Sequence, residues 1–94
     1  MRKLVLTPKF KRAFQKFSRR DNLRQRRIEE ALRLMEQDVF VAGLGAHKLS
    51  GDLSGYWACS CGYDCRIIFA LENDPETGEE FIVLLDVGSH DEVY

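Results

Sequence analysis

The apolar residues of this chain change period at Gly43 and Gly45, and that switch restricts the fold more than any other feature. Before the glycines they recur at helical spacing. Phe10, Ala13, Phe14 and Phe17 stand at i, i+3, i+4 and i+7, on one face of a helix that Thr7 and Pro8 are suited to start. Ile28, Ala31, Leu32, Met35 and Val39 repeat the pattern over residues 21–38, with most of the arginines and glutamates off the stripe. The polar residues 18–22 between them are few, so the helices form a hairpin with both stripes facing a sheet.

After the glycines the pattern is that of strands. Residues 54–60 and 63–71 read as a pair around a tight Cys61-Gly62 turn, and residues 81–87 as a last strand beyond the turn-rich stretch 73–78. A short strand at residues 2–6 precedes the helices, while residues 46–51 read as a loop. The order is β-α-α-β-β-β. It predicts an α+β fold: a mainly antiparallel sheet of three or four strands, with the helix hairpin on one face. Ninety-four residues make one domain, residues 1–94.

Register follows from the turn. With Cys61-Gly62 as a two-residue loop, Ser60 pairs with Tyr63 and Trp57 lies opposite Arg66. Alternation then sends Tyr56, Ala58, Cys65, Ile67 and Phe69 under the helices. Phe14, Phe17 and Leu32 are expected to bury against them. The other face presents Trp57, Cys59, Asp64 and Arg66, a mix suited to a nucleotide.

Several classes are excluded or disfavoured by composition. At 45% hydrophobic and 31% charged the chain is neither disordered nor fibrous. No apolar run approaches the ~20 residues that span a bilayer, and the N-terminal apolar stretch is short for a signal peptide, so a cytoplasmic chain is expected. The cysteines, Cys59, Cys61 and Cys65, are odd in number and clustered, which favours reduced thiols over a stapled framework. They fall short of the four ligands of a structural zinc, so neither metal nor cofactor is expected. Charge is strongly divided. Residues 1–33 carry twelve Lys/Arg against three Asp/Glu, net +9; residues 34–94 carry two against twelve, net −10. Such a basic half suits a polyanion or an acidic partner, though it would equally solvate the outer helix faces.

Two histidines stand in exposed-looking segments, His47 before the strand pair and His90 after the last strand. Imidazole titrates near neutrality, so two can serve as general base and general acid. RNA suits the pair: a base takes the ribose 2′-OH proton, the oxygen attacks the adjacent phosphate, and an acid protonates the leaving 5′-oxygen. Arg66 fits the phosphate because its fork holds two oxygens at once. Trp57 could stack on a base.

The stretch Gly55-Tyr56-Trp57-Ala58-Cys59-Ser60-Cys61-Gly62-Tyr63-Asp64-Cys65-Arg66-Ile67-Ile68-Phe69 resembles the central strands of the RelE/ParE toxin superfamily, where a G-Y-x-x-R-I-I-F-like strand is typical. Upstream, His47-Lys48-Leu49-Ser50-Gly51 is similar to the H-x-L-x-G segment of YafQ-type toxins. Downstream, Gly88-Ser89-His90 and the terminal Tyr94 resemble their G-T-H-x-x-x-aromatic ending. The resemblance implies a RelE-like fold and the toxin of a type II toxin–antitoxin pair, an mRNA-cleaving enzyme of the ribosomal A site silenced by an antitoxin. It implies His47 as base, His90 as acid, Arg66 as phosphate contact and Asp64 as the strand aspartate. Tyr94, Trp57 and Lys48 are the substrate-binding candidates beside them. Operator DNA would be reached only through the antitoxin complex.

Departures from the family pattern bear on mechanism. RelE has strand lysines where this chain has Trp57 and Cys59. YafQ-type enzymes have a further histidine and a tryptophan where it has Cys59 and Cys65. A centre with fewer basic groups would be slower, or would rely more on His47 and His90. ParE-type members, which poison gyrase without cutting RNA, generally lack the His/Arg/His set. A decayed toxin that only binds its antitoxin is the third reading.

Overall fold

The computed structural model describes residues 2–94. Strand β1 is Lys3–Leu6, followed by helices α1 (Pro8–Phe17) and α2 (Asn22–Gln37). A 3-10 turn at Ala42–Leu44 leads to the two-residue strand β2, His47–Lys48. Strands β3 (Trp57–Gly62), β4 (Cys65–Asn73) and β5 (Glu80–Gly88) follow, and a single helical turn, α3 (His90–Val93), ends the chain. The α+β order is the one expected, with five strands rather than three or four. The segment read as a loop at residues 46–51 contributes the extra edge strand β2. Strand order is β1-β5-β4-β3-β2, with only β1 and β5 parallel.

The helices start where their capping residues stand. Thr7 Oγ1 accepts the Phe10 N–H at 3.1 Å and donates to Leu84 O at 2.7 Å, so one hydroxyl caps α1 and ties it to β5. Asp21 caps α2 through the Arg24 N–H at 3.0 Å. Their inner stripes, Phe10 with Ile28, Ala31, Leu32 and Met35, meet Ile67, Phe69, Ile82 and Leu84 of the sheet in one core. Leu32, Ile67 and Phe69 are buried as expected; Phe14 and Phe17 are only partly so, at the core's margin.

The β3–β4 register differs from the expected one. The turn residues are Tyr63 and Asp64, not Cys61 and Gly62, and the ladder is irregular between Ser60 and Gly62. Two left-handed positions bracket Tyr63: Gly62 at φ +130° and Asp64 at φ +48°. Aspartate tolerates that conformation better than most residues with a side chain, which is why the turn can close there. Trp57 therefore pairs with Phe69, and Ser60 with Arg66. The partner of Trp57 moves by three residues, an odd number, so β3 presents its opposite face. Trp57, Cys59 and Cys61 pack with the helices, and Tyr56, expected in the core, is exposed.

That shift also corrects the thiol expectation. Cys61 and Cys65 flank the turn with Cα atoms 5.0 Å apart, within bridging distance, and form a disulfide. Cys59 lies on the same side as Cys65, not opposite it; it is the free thiol, fully buried beside Met35. Burial pushes that thiol up to about 12.

Candidate active site

The second face of the sheet, away from the helices, carries Ala58 and Ser60 of β3 between β2 and β4. Ala58 pairs with both His47 and Ile68, so His47 stands on this face. Its position comes from a closed loop: the Leu49 N–H donates to Tyr56 O at 3.0 Å, and a 3-10 turn, Gly51–Leu53, fills the bend. His47 is exposed, with Nδ1 3.0 Å from Gly45 O. A carbonyl only accepts, so Nδ1 is the donor in that contact. In the neutral ring Nε2 then carries the lone pair.

The other histidine is placed by the chain's end. Gly88 closes β5, and a Cβ there would lie 3.2 Å from both Glu92 Cβ and Val93 Cγ1, so a glycine lets α3 fold back on the strand. Ser89 and Glu92 form a reciprocal cap: the Ser89 N–H donates to Glu92 Oε1 at 3.0 Å, and the Glu92 N–H to Ser89 Oγ at 3.3 Å. The Ser89 backbone N–H first, and the Ser89 side chain after it, hold the Glu92 carboxyl below its usual range. His90, the first residue of α3, gives its backbone N–H to Asp64 Oδ1 at 3.1 Å. Its ring meets Tyr94 edge-on, centroids 4.5 Å apart, and its Nδ1 lies 3.5 Å from Asp91 Oδ1.

His47, Lys48, His90 and Tyr94 line one open cleft of about 500 Å³, together with Ser50, Asp52 and Leu53 of the intervening loop. The volume lies within the usual range for a small-ligand site. Asp64 is outside the lining, behind His90 and holding its backbone. Arg66 is also outside it. Half-buried on β4, it pairs across the sheet with Gly88 and gives Nη1 to Cys65 O (2.8 Å) and Gly62 O (3.3 Å). Its Nε and Nη2 make no hydrogen bond among the described residues. Burial raises the Tyr94 phenol above its usual range, and the Arg66 charge partly offsets this.

Trp57 is the substrate-binding candidate that the structure removes from this face. It stacks on Phe69 with ring centroids 6.4 Å apart, meets Phe40 edge-on at 5.4 Å, and packs against the core. The odd register shift put it there. Lys48 reaches back over it, Nζ 5.7 Å from the indole centroid. Ser50, Asp52 and Leu53 were not singled out as lining residues from sequence. Their only local signal is Gly51, at φ +66°, which bends the loop into the cleft. Among the described residues no three His, Cys, Asp or Glu side chains gather as a metal site, and no helix is long and apolar enough to cross a membrane.

Comparison with known proteins gives a consistent family. Residues 2–94 match the family described as a bacterial toxin of type II toxin–antitoxin system, YafQ. Among solved structures, YafQ from E. coli superposes with a TM-score of 0.79 at 12% identity, covering 100% of this chain and 99% of that one. The YoeB/ParE toxin from Agrobacterium tumefaciens superposes at 0.76 with 19% identity, covering 94% and 98%. YafQ in the E. coli DinJ–YafQ complex gives 0.72 at 14% identity, covering 100% and 99%. These likenesses are of fold. No curated protein sequence matches the chain.

Proposed function

This chain belongs to the YafQ family of bacterial type II toxin–antitoxin toxins, and we propose that it is an endoribonuclease that cuts mRNA, on the ribosome, by acid–base chemistry. The observation that carries this reading is the convergence of His47, Lys48, His90 and Tyr94 on one open cleft from segments more than forty residues apart. A solvating role for two surface histidines would not require them to share a cleft.

The steps follow from the groups available. His47 Nε2 takes the proton of a ribose 2′-OH, whose oxygen then forms a bond to the adjacent phosphorus. The bond from phosphorus to the 5′-oxygen breaks, and His90 returns a proton to that oxygen. The products are a 2′,3′-cyclic phosphate and a 5′-hydroxyl end. Arg66 offers its unused Nε and Nη2 to the phosphoryl oxygens, where charge develops. Tyr94 gives a ring for a base to stack on, and Lys48 a cation for a flanking phosphate. Asp64 touches no substrate in this scheme; it fixes the backbone that carries His90.

An antitoxin is the proposed partner, as DinJ is for the E. coli protein of the same fold. The net +9 of residues 1–33 supports an acidic segment wrapping the helices, over the surface of Lys9, Arg12, Arg24 and Arg27. Operator DNA would be met only in that complex. Its working place on this reading is the cytoplasm, where its substrate is. The test is induction in cells with mapping of mRNA 5′ ends. New 5′-hydroxyl ends within translated codons are expected. Growth arrest with intact mRNA and gyrase-linked DNA breaks would replace this reading with a gyrase poison, and no arrest at all with an inert binder.

A further inference from the structure

The Cys61–Cys65 bridge closes a loop of three residues, Gly62, Tyr63 and Asp64, and two candidate site residues depend on that loop. Asp64 holds the His90 backbone, and Arg66 Nη1 donates to the carbonyls of Gly62 and Cys65. Both cysteines, only 5% and 3% exposed, are among the residues lining a cleft of about 180 Å³ that is separate from the histidine cleft. Arg27 of α2 lies in it. A Cβ on Gly62 would come 3.2 Å from Arg27 Cδ and 3.7 Å from its Nη1, so the bare backbone between the cysteines is what lets that guanidinium rest there. Arg24, the cleft's other cation, is paired with Asp21 and stacked on Phe17; Arg27 has no carboxylate partner among the described residues.

We propose that this disulfide is a thiol-exchange site for a small thiol bearing carboxylates, and that its redox state decides how firmly Asp64 holds His90. The link to catalysis rests on the nuclease reading above; the exchange itself does not. Arg27 suits both partners of the exchange. It attracts the carboxylates of the incoming thiol and favours the thiolate that leaves. The thiolate sulfur attacks one sulfur of the bridge, the Cys61–Cys65 bond breaks, and the other cysteine departs as a thiolate that takes a proton from water. A second molecule of thiol attacks the mixed disulfide, leaving two protein thiols and one oxidised dimer of the small molecule, whose two thiols supply both electrons. A chain that works on mRNA meets the reducing thiol pool, where bridges that persist are mostly redox-active. With the bridge open, the turn loses its crosslink, and Asp64 must keep its left-handed conformation on the hairpin's hydrogen bonds alone.

Reduced glutathione and the neutral thiol mercaptoethanol are the probes, applied to the purified oxidised chain. Intact mass follows bridge opening, and amide exchange at His90 reports the Asp64 bond. Glutathione should open the bridge through an adduct of one glutathionyl group, and Arg27→Ala should slow this about two- to fivefold at low salt, the scale of one exposed charge pair. Mercaptoethanol should react with both proteins alike, and the His90 amide should exchange faster in the reduced chain. Equal slowing of both thiols by Arg27→Ala would overturn the proposed site. Unchanged His90 exchange on reduction would overturn the coupling. RNA cleavage is read on the same samples, with the oxidised form the more active. Redox-dependent His90 exchange in a chain that cuts no RNA in either state would sink the nuclease reading and leave this one supported.

Discussion

The carboxylate of Asp64 accepts the backbone N–H of His90 at 3.1 Å, joining the tip of the β3–β4 hairpin to the first residue of α3. The two residues lie 26 positions apart in the chain, and the bond ties the final helical turn to the β3–β4 hairpin. Asp64 adopts φ +48° in the hairpin turn. A conformation that costs roughly 1 kcal/mol for a residue with a side chain is thus retained at a point where it orients a site residue.

Asp64→Gly separates orientation from stability. Glycine takes the left-handed turn without the steric cost, so the variant should melt no lower than the parent. It loses the His90 contact, and RNA cleavage should fall by about tenfold, the worth of one hydrogen bond of ~1 kcal/mol or slightly more. Thermal melts and cleavage rates on one preparation check both. Full activity would show that Asp64 positions nothing.

Removing the groups proposed to react should act on chemistry and leave the fold. His47→Ala and His90→Ala should each lower cleavage by about 10²–10⁴-fold, the range for a positioned acid or base. Arg66→Ala should cost about 10²–10³-fold, as for loss of one donor to developing charge. The double His47→Ala/His90→Ala variant should fall less than the product of the singles, since the two act in one step. Circular dichroism and antitoxin binding should be unchanged. Full toxicity of all three single variants would reject the nuclease assignment.

Trp57→Ala tests the corrected orientation. Stacked on Phe69 and packed against the core, Trp57 should cost about 2–3 kcal/mol of stability on truncation, below the 3–5 of a fully buried aromatic. Cleavage per folded molecule should stay at the parent value. A denaturant titration together with an active-site-normalised rate distinguishes this from the stacking role first expected of it.

Acid should loosen α3 before the rest of the domain. The Glu92 carboxyl is held below its usual range by its hydrogen bonds to Ser89, so its folded value lies under its unfolded one. Its contribution is fully present above the ordinary glutamate range and is lost as pH falls through the lowered folded value. Glu92 is exposed, which keeps the effect local. Amide exchange at Ser89, corrected for intrinsic pH dependence, should rise below pH ~4. In Glu92→Gln, whose amide has no carboxyl to protonate, that acid-dependent rise should be absent.

The helices and the single core were legible in the sequence because each depends on spacing along the chain, and the family because three segments resemble its motifs. Period 3.6 at Phe10 to Phe17 and Ile28 to Met35 specifies a buried stripe whatever lies opposite, and the alternation of Cys65, Ile67 and Phe69 specifies one face of β4. What pairs with what depended on tertiary structure. A turn at Cys61-Gly62 and one at Tyr63-Asp64 fit the local sequence about equally; moving the turn alone would shift the partner of Trp57 by four residues, and the irregularity between Ser60 and Gly62 makes the shift three, an odd number. Side chains in a strand alternate, so that difference moved Trp57, Cys59 and Cys61 into the core and brought Cys61 within bonding reach of Cys65. The Asp64–His90 bond, the edge strand carrying His47 and the cation beside the disulfide came from the same source. Each joins segments distant in sequence, and only the packing of the helices on the sheet, which favours the register that buries Trp57 and Cys59, decides that they meet.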